Sequence, residues 1–191
     1  MIAGLYDKFK HWSEKGSIYI ISDTHFDDAD CQLMDKNWIS PKEHIEILKK
    51  YAHKNDTLII LGDIGNPTYL KNIKSYKVLI KGNHDTGSSN YTEYFNEIYE
   101  GPLFISEKIL LSHEPINGLD FCLNIHGHNH NGKIQEDIYH LNVVSNVCNY
   151  IPISLSIIIK QGYLANIQTI HREIIDKATD NKKRNKHEQK L

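Results

Sequence analysis

A layered α/β fold is what this sequence predicts, and two observations carry the prediction. Short apolar runs alternate with helix-period stretches through the first half of the chain. In the second half, short apolar runs follow one another with little helical pattern between them. Taken in order, Ile18–Ile21 (IYII) reads as a buried strand, and residues 57–61 (TLIIL) and Tyr76–Ile80 (YKVLI) read the same way. Between the first two, residues 41–54 place Ile45, Leu48 and Ala52 at helical spacing, with Ser40 and Pro41 as N-cap and first turn. Residues 69–75 and 91–97 are shorter helix candidates. Further strands are expected at 109–111, 121–125 and 141–144.

Composition narrows the function classes. With 191 residues the chain fits one domain, assigned to 1–175, while 176–191 is a polar, basic tail with no apolar period. Apolar residues at 40% and charged residues at 24% exclude a disordered chain. A net charge of -2 gives no general pull toward nucleic acid or membrane, although the basic tail could touch nucleic acid. No apolar stretch approaches the roughly 20 residues that span a bilayer. The N-terminus lacks a basic segment followed by an apolar one, so no secretory signal is read. Cys31, Cys122 and Cys148 are widely spaced and odd in number, which fits buried thiols in a cytoplasmic protein rather than disulfides or a zinc ribbon.

The chemistry is written at the ends of the apolar runs. IYIIS leads into Asp23 and His25, TLIILG into Asp63, and VLIKG into Asn83, His84 and Asp85. ILLS leads into His113, and LNIHG into His128 and His130. One Asp after a strand is commonly a turn former. Histidines lack that explanation, and in open α/β sheets functional groups gather beyond the carboxyl ends of strands. Asp and Asn oxygens with neutral imidazoles suit manganese, iron, zinc or nickel better than calcium. A carboxylate can bridge two such ions, which share a hydroxide nucleophile and clamp phosphoryl oxygens through an in-line displacement. His126 and His128 form a competing metal pair to His128 and His130. His11, His44, His53, His140, His171 and His187 have no motif context and read as surface or helix-face residues. Trp38, Tyr69 and Tyr91 read equally as cleft or packing residues.

In order, D-x-H (Asp23, His25), G-D (Gly62, Asp63), G-N-H-D (Gly82 to Asp85), a lone His113 and G-H-x-H (Gly127, His128, His130) resemble the calcineurin-like metallophosphoesterases. The finer pattern is similar to a small single-domain branch that begins D-T-H-F and carries N-Y-x-P-I, here Asn149, Tyr150, Pro152 and Ile153. The resemblance implies two stacked mixed sheets flanked by helices. It implies one metal on Asp23, His25 and His130, a second on Asn83, His113 and His128, and Asp63 bridging them. It places Gly before the first ligand of G-H-x-H, which favours His128 with His130 and leaves His126 to orient a neighbour. It assigns His84 to the leaving group, oriented by a hydrogen bond to Asp85. The branch usually continues with Gly, His and a nearby Asn, where this chain has Asp27, Asp28 and Asp30, an acidic rim that disfavours highly charged substrates.

The expected activity is therefore hydrolysis of phosphodiester or phosphomonoester bonds in a small or exposed substrate, such as a nucleotide. Two divalent ions would serve it, manganese foremost and iron, zinc, nickel or magnesium as alternatives. A nuclease acting on nucleic acid ends is the alternative within the class. A non-catalytic binding module is the alternative outside it, disfavoured because every ligand and the His of G-N-H-D are present.

Overall fold

Each apolar run becomes a strand because pairing satisfies its backbone while both of its faces meet other layers. The computed structural model describes residues 1–85, 91–172, 174–177 and 179. Within them, β1 (Ile18–Ile21), β2 (Thr57–Ile60), β3 (Tyr76–Ile80) and β4 (Glu97–Tyr99) run parallel, and β9 (Ile153–Ser154) adds antiparallel beside β1. The order in this five-stranded sheet is β4-β3-β2-β1-β9. A second sheet has the order β5-β6-β7-β8, from Leu103–Ser106, Ile109–Leu111, Leu123–His126 and His140–Asn142. There β6, β7 and β8 are parallel and β5 is antiparallel to β6.

Side-chain alternation explains the layering. Ile18, Ile20, Ile59, Leu61, Val78 and Ile80 point inward to meet Ile109, Leu111, Leu123, Ile125 and Leu141 of the second sheet. Their alternates Ile21, Leu58, Ile60 and Leu79 point outward, under α2 (Pro41–Tyr51) and a 3-10 helix at Pro67–Asn72. Ile45, Leu48 and Ala52 dock there, as their spacing predicts. Ser40 begins α2 with a full capping box: its hydroxyl accepts from the Glu43 amide, and the Glu43 carboxylate accepts from the Ser40 amide. Further α-helices are α1 (Cys31–Met34), a single turn, and α3 (Leu155–Lys160), which adds Leu155 and Ile158 to the inter-sheet core. No helix among the described residues is long and apolar enough to cross a membrane.

Three expectations change. Residues 91–97 are not one helix but a 3-10 turn at Tyr91–Glu93 followed by β4, because β3 offers its free edge to Glu97–Tyr99. The candidate at 69–75 is a 3-10 helix beginning earlier, at Pro67, where the Asn66 side chain accepts from the Thr68 amide. Of the histidines read as surface or helix-face residues, His140 is buried in β8, and His44 lies on α2 but on its buried face. The three cysteines are buried and free, and burial pushes each thiol up, Cys31 and Cys148 to about 12 and Cys122 to about 11. Of the basic tail, only residues 176, 177 and 179 fall inside the described residues, and they are helical.

The two sheets meet along β1 and β8. The Ser22 amide donates to the Val143 carbonyl, and the Ser145 amide donates to that of Ser22, in a parallel bridge. That bridge makes the parallel strands of both sheets run in the same sense. All five motif-bearing exits therefore emerge on one edge.

Candidate metal centre

The exits of β1 and β2 stay paired past the strands. The amides of Asp23, His25 and Phe26 donate to the carbonyls of Gly62, Asp63 and Ile64. This holds the two loops side by side, but the backbone must turn sharply to aim its side chains. Among the described residues seven non-glycine positions have positive φ, and Asp23, His25, Asp63 and His128 are four of them. Such conformations cost roughly 1–3 kcal/mol each and persist where surrounding structure imposes them. Gly127 and Gly82 allow the close approaches. A Cβ on Gly127 would overlap Ser22 and Asp23, and one on Gly82 would overlap Asp63.

Two groups of donor atoms result. Asp23, His25 and His130 form one, and Asp63, His113 and His128 the other, with the atoms in each lying within 4.8 Å of one another. Asn83 joins the second, its Oδ1 2.9 Å from His113 Nε2. Asp63 stands between them: its Oδ2 is 3.3 Å from His113 Nε2 and 3.9 Å from His25 Nε2. All seven residues expected as ligands thus converge, and His126 does not join either group. His126 is fully buried behind them, and its Nδ1 donates to the Gly127 carbonyl (2.8 Å), holding the turn that carries His128.

The hydrogen bonds on the far side of each ring decide what the near side can do. His25 Nδ1 donates to Asp28 (2.9 Å), His130 Nδ1 to Asn146 Oδ1 (3.1 Å) and His113 Nδ1 to the Leu61 carbonyl (2.8 Å). A neutral imidazole so anchored keeps a lone pair on Nε2, facing inward. Inward too lie oxygens that are themselves acceptors: Asp23 Oδ1 is 3.2 Å from His130 Nε2 and 3.8 Å from His25 Nε2. Asp23 Oδ2 is occupied elsewhere, by the Ser22 hydroxyl and the His128 amide. Asp23 Oδ1 and His25 Nε2 are left buried without a hydrogen-bond partner, a condition that costs about 1–3 kcal/mol per group. Acceptors facing acceptors in a buried space fit a cation between them.

Electrostatics say the same. Burial works against charge on Asp23, yet the adjacent rings of His130 and His25, the field of His113 and the Ser22 hydroxyl hold its carboxyl well below the usual range. Burial likewise opposes the charged form of His113, but the Asp63 hydrogen bond, the Asp23 and Asp63 charges and the Leu61 carbonyl lift it to about 9. His25 is raised against burial by Asp23, Asp63 and Asp28. Without ions, protons would supply the positive charge this space demands.

His84 and Asp85 part company. The His84 ring is exposed and stands 5.9 Å from the His25 ring, edge to face, while its amide donates to Asp63 Oδ1 (2.9 Å). Asp85 does not orient that ring, as the resemblance implied. Its buried carboxylate accepts from the amides of Asp63, Ile64 and Gly82 and from the Tyr91 hydroxyl at 2.8–3.1 Å. The turn at Gly82–Asp85 folds the side chain back under the β2 exit, so Asp85 ties two ligand loops together.

Sequence reasoning missed several partners. Asp28 is no mere rim acid, since it anchors His25, and their i, i+3 spacing was the available signal. Asp27 is likewise engaged, accepting from Asn66 and from the Tyr69 hydroxyl (both 2.9 Å). Asn146 comes from the loop beyond β8, where no motif marks it. Trp38 is buried and packs its ring 5.9 Å from His25 and 5.7 Å from His130. Tyr150, with φ +61°, backs Trp38 at 5.8 Å.

Comparison with known proteins follows the same lines. An uncharacterized protein of Methanocaldococcus jannaschii is 31% identical over 171 residues, spanning 75% of this chain and 89% of that one. The crystal structure of a protein of unknown function from Aquifex aeolicus superposes with a TM-score of 0.64 at 29% identity, covering 76% of this chain and 98% of its own. A nuclease from Pseudomonas putida overlaps more loosely, with a TM-score of 0.44 and 21% identity over 58% of this chain and 60% of that one. The family model for calcineurin-like phosphoesterases matches residues 16–181, and this chain belongs to that family.

Proposed function

We propose that this chain is a two-metal hydrolase of phosphodiester or phosphomonoester bonds in a small or exposed substrate, a nucleotide being a natural size. The observation that carries the reading is the ring of inward-facing acceptors with Asp63 shared between its halves. Asp23, His25 and His130 would hold one divalent ion, and Asn83, His113 and His128 the other. Nitrogen and oxygen donors of this kind suit manganese, with iron, zinc, nickel or magnesium as alternatives. When bound, the ions supply a nucleophile at neutral pH and neutralise phosphoryl charge.

The chain's own residues supply the rest. Asp28, Asn146 and the Leu61 carbonyl fix the imidazole tautomers. Asp85 sets the spacing of the Asp63 and Asn83 loops. The Asn83 and His113 side opens into a cleft of about 390 Å³, lined in part by Lys81, Pro102 and Ile116, with room for the organic part of a substrate. His84, exposed beside the His25 ring, would donate a proton to a departing oxygen, worth about 10²–10⁴-fold where the leaving group needs one.

A turnover screen of Mn2+-loaded protein on monoester, diester, cyclic-nucleotide and oligonucleotide substrates tests the class, and no metal-dependent turnover on any of them would overturn it. His84→Asn tests the mechanism. It should leave metal content unchanged and cut kcat sharply for alkyl or nucleoside leaving groups, and much less for para-nitrophenolate. Equal losses on both would mean that His84 steadies phosphoryl charge instead.

A further inference from the structure

At the opposite end of the sheet from the metal-ligand cluster lies a cleft of about 480 Å³, at the start of β2 and β3. Thr57 and Tyr76, the first residues of those strands, line it. From Thr57 to Asp63 the chain rises roughly 20 Å at about 3.3 Å per residue, so the cleft and the cluster are separate places. Its walls carry Lys15, Lys54, Lys74 and Lys77.

Some lysines elsewhere on the surface are paired with a carboxylate and others are not. Lys10, Lys49, Lys71 and Lys81 each sit within ion-pair distance of a carboxylate. Among the described residues Lys15, Lys54 and Lys74 have no such partner. Two acids stand among them, Glu14 and Asp56, and the Asp56 carboxylate accepts from the Ser17 and His53 amides (both 2.8 Å). Lys77 is half-buried and gives two of its three donors to the carbonyls of Ile73 (2.8 Å) and Ser75 (3.2 Å). Its burial depresses its pKa, as expected for an ammonium short of a counter-ion. Ser75 also lines the cleft, is 2% exposed, and its hydroxyl has no hydrogen-bond partner. A buried donor left unsatisfied costs about 1–3 kcal/mol, and like charges around one hollow repel. A multiply charged anion relieves that repulsion.

We propose that this cleft is a second anion site, built for a small oligophosphate whose linked phosphates carry three or more negative charges. Four ammonium groups around one cavity match such a chain. A single phosphate or carboxylate is too short in charge, and inorganic tripolyphosphate and a nucleoside triphosphate share the needed chemistry.

Calorimetric titration of the full chain with inorganic tripolyphosphate, and separately with adenosine triphosphate, tests the site. Saturable, salt-sensitive binding is expected for tripolyphosphate at least, and adenosine triphosphate binding as well would mean that the nucleoside is accommodated. Lys54→Glu with Lys74→Glu should weaken binding by about tenfold or more, on the scale of two exposed ion pairs reversed. The milder pair Lys54→Gln and Lys74→Gln guards against misfolding and should weaken it less. Lys42→Glu with Lys160→Glu, on α2 and α3, should leave it intact. Asp63→Ala disables the metal-ligand cluster and should also leave it intact. Loss of binding in Asp63→Ala would place the anion at the metal centre and overturn the proposal. So would unchanged affinity in the Lys54 and Lys74 variants, or binding of single-stranded oligonucleotide in place of both oligophosphates.

Discussion

The two halves of the metal-ligand cluster are built differently. Asp23 and His25 are buried, their inward atoms lack partners, and the rings of His25 and His130 are fixed by side chains and covered by Trp38. On the other side Asn83 and His128 are exposed, His113 is anchored by a backbone carbonyl, and the surface falls away into the cleft beside Lys81. The first half is a closed group of inward donors that is costly to leave unpaired. The second faces solvent. One carboxylate, Asp63, stands between the closed donor group and the accessible one.

Breaking that join should have the largest effect. Asp63→Ala should lower metal content in both halves and reduce kcat by more than the ~100-fold ceiling typical of residues that only orient a ligand. Elemental analysis and steady-state kinetics on one preparation check this. A loss confined to one ion would show that the halves are independent.

Asp28→Asn sharpens the contrast, because Asp28 touches only the closed half. The amide keeps a hydrogen-bonding group but removes the charge that makes His25 a stronger ligand. The tighter of two Mn2+ binding steps should weaken by about 10–100-fold while the other holds. Metal titration that shows both steps moving together would contradict the assignment.

How much of this was legible in the sequence follows from what each feature depends on. β1, β3 and β6 have the bounds their apolar runs predict, since a strand buried on both faces is written as an unbroken run. β4, β5 and β9 were not read, because two to four residues at a sheet edge carry no period. The seven converging residues were legible because each follows a strand end directly. Asp85 misled because adjacency in G-N-H-D says nothing about where a turn sends a carboxylate, and two amides of the β2 exit, together with that of Gly82, claimed it. Asn146 was invisible since its partnership with His130 depends on β8 lying beside β7. His44 was read as a helix-face residue, and its burial depends on Phe26 and Tyr150 closing over it.

That burial gives the smallest predicted effect, behind the closed half. Desolvation pushes His44 down to about 3, against 6.5 unperturbed. Between those values the unfolded chain binds the proton and the folded chain does not. Stability is therefore lost as pH falls from about 6.5 toward 3, by up to about 1.4 kcal/mol per unit from this group. His44→Phe removes the term, so its Tm should fall less than the parent's between pH 6.5 and pH 4. Parallel decline of both would mean that His44 is protonated in the folded state.

If two metal seats share Asp63, metal stoichiometry will show it. Elemental analysis of the Mn2+-saturated, desalted chain, beside its activity, should give two ions per chain, with activity following occupancy of the second. One ion per chain at full activity would contradict the claim.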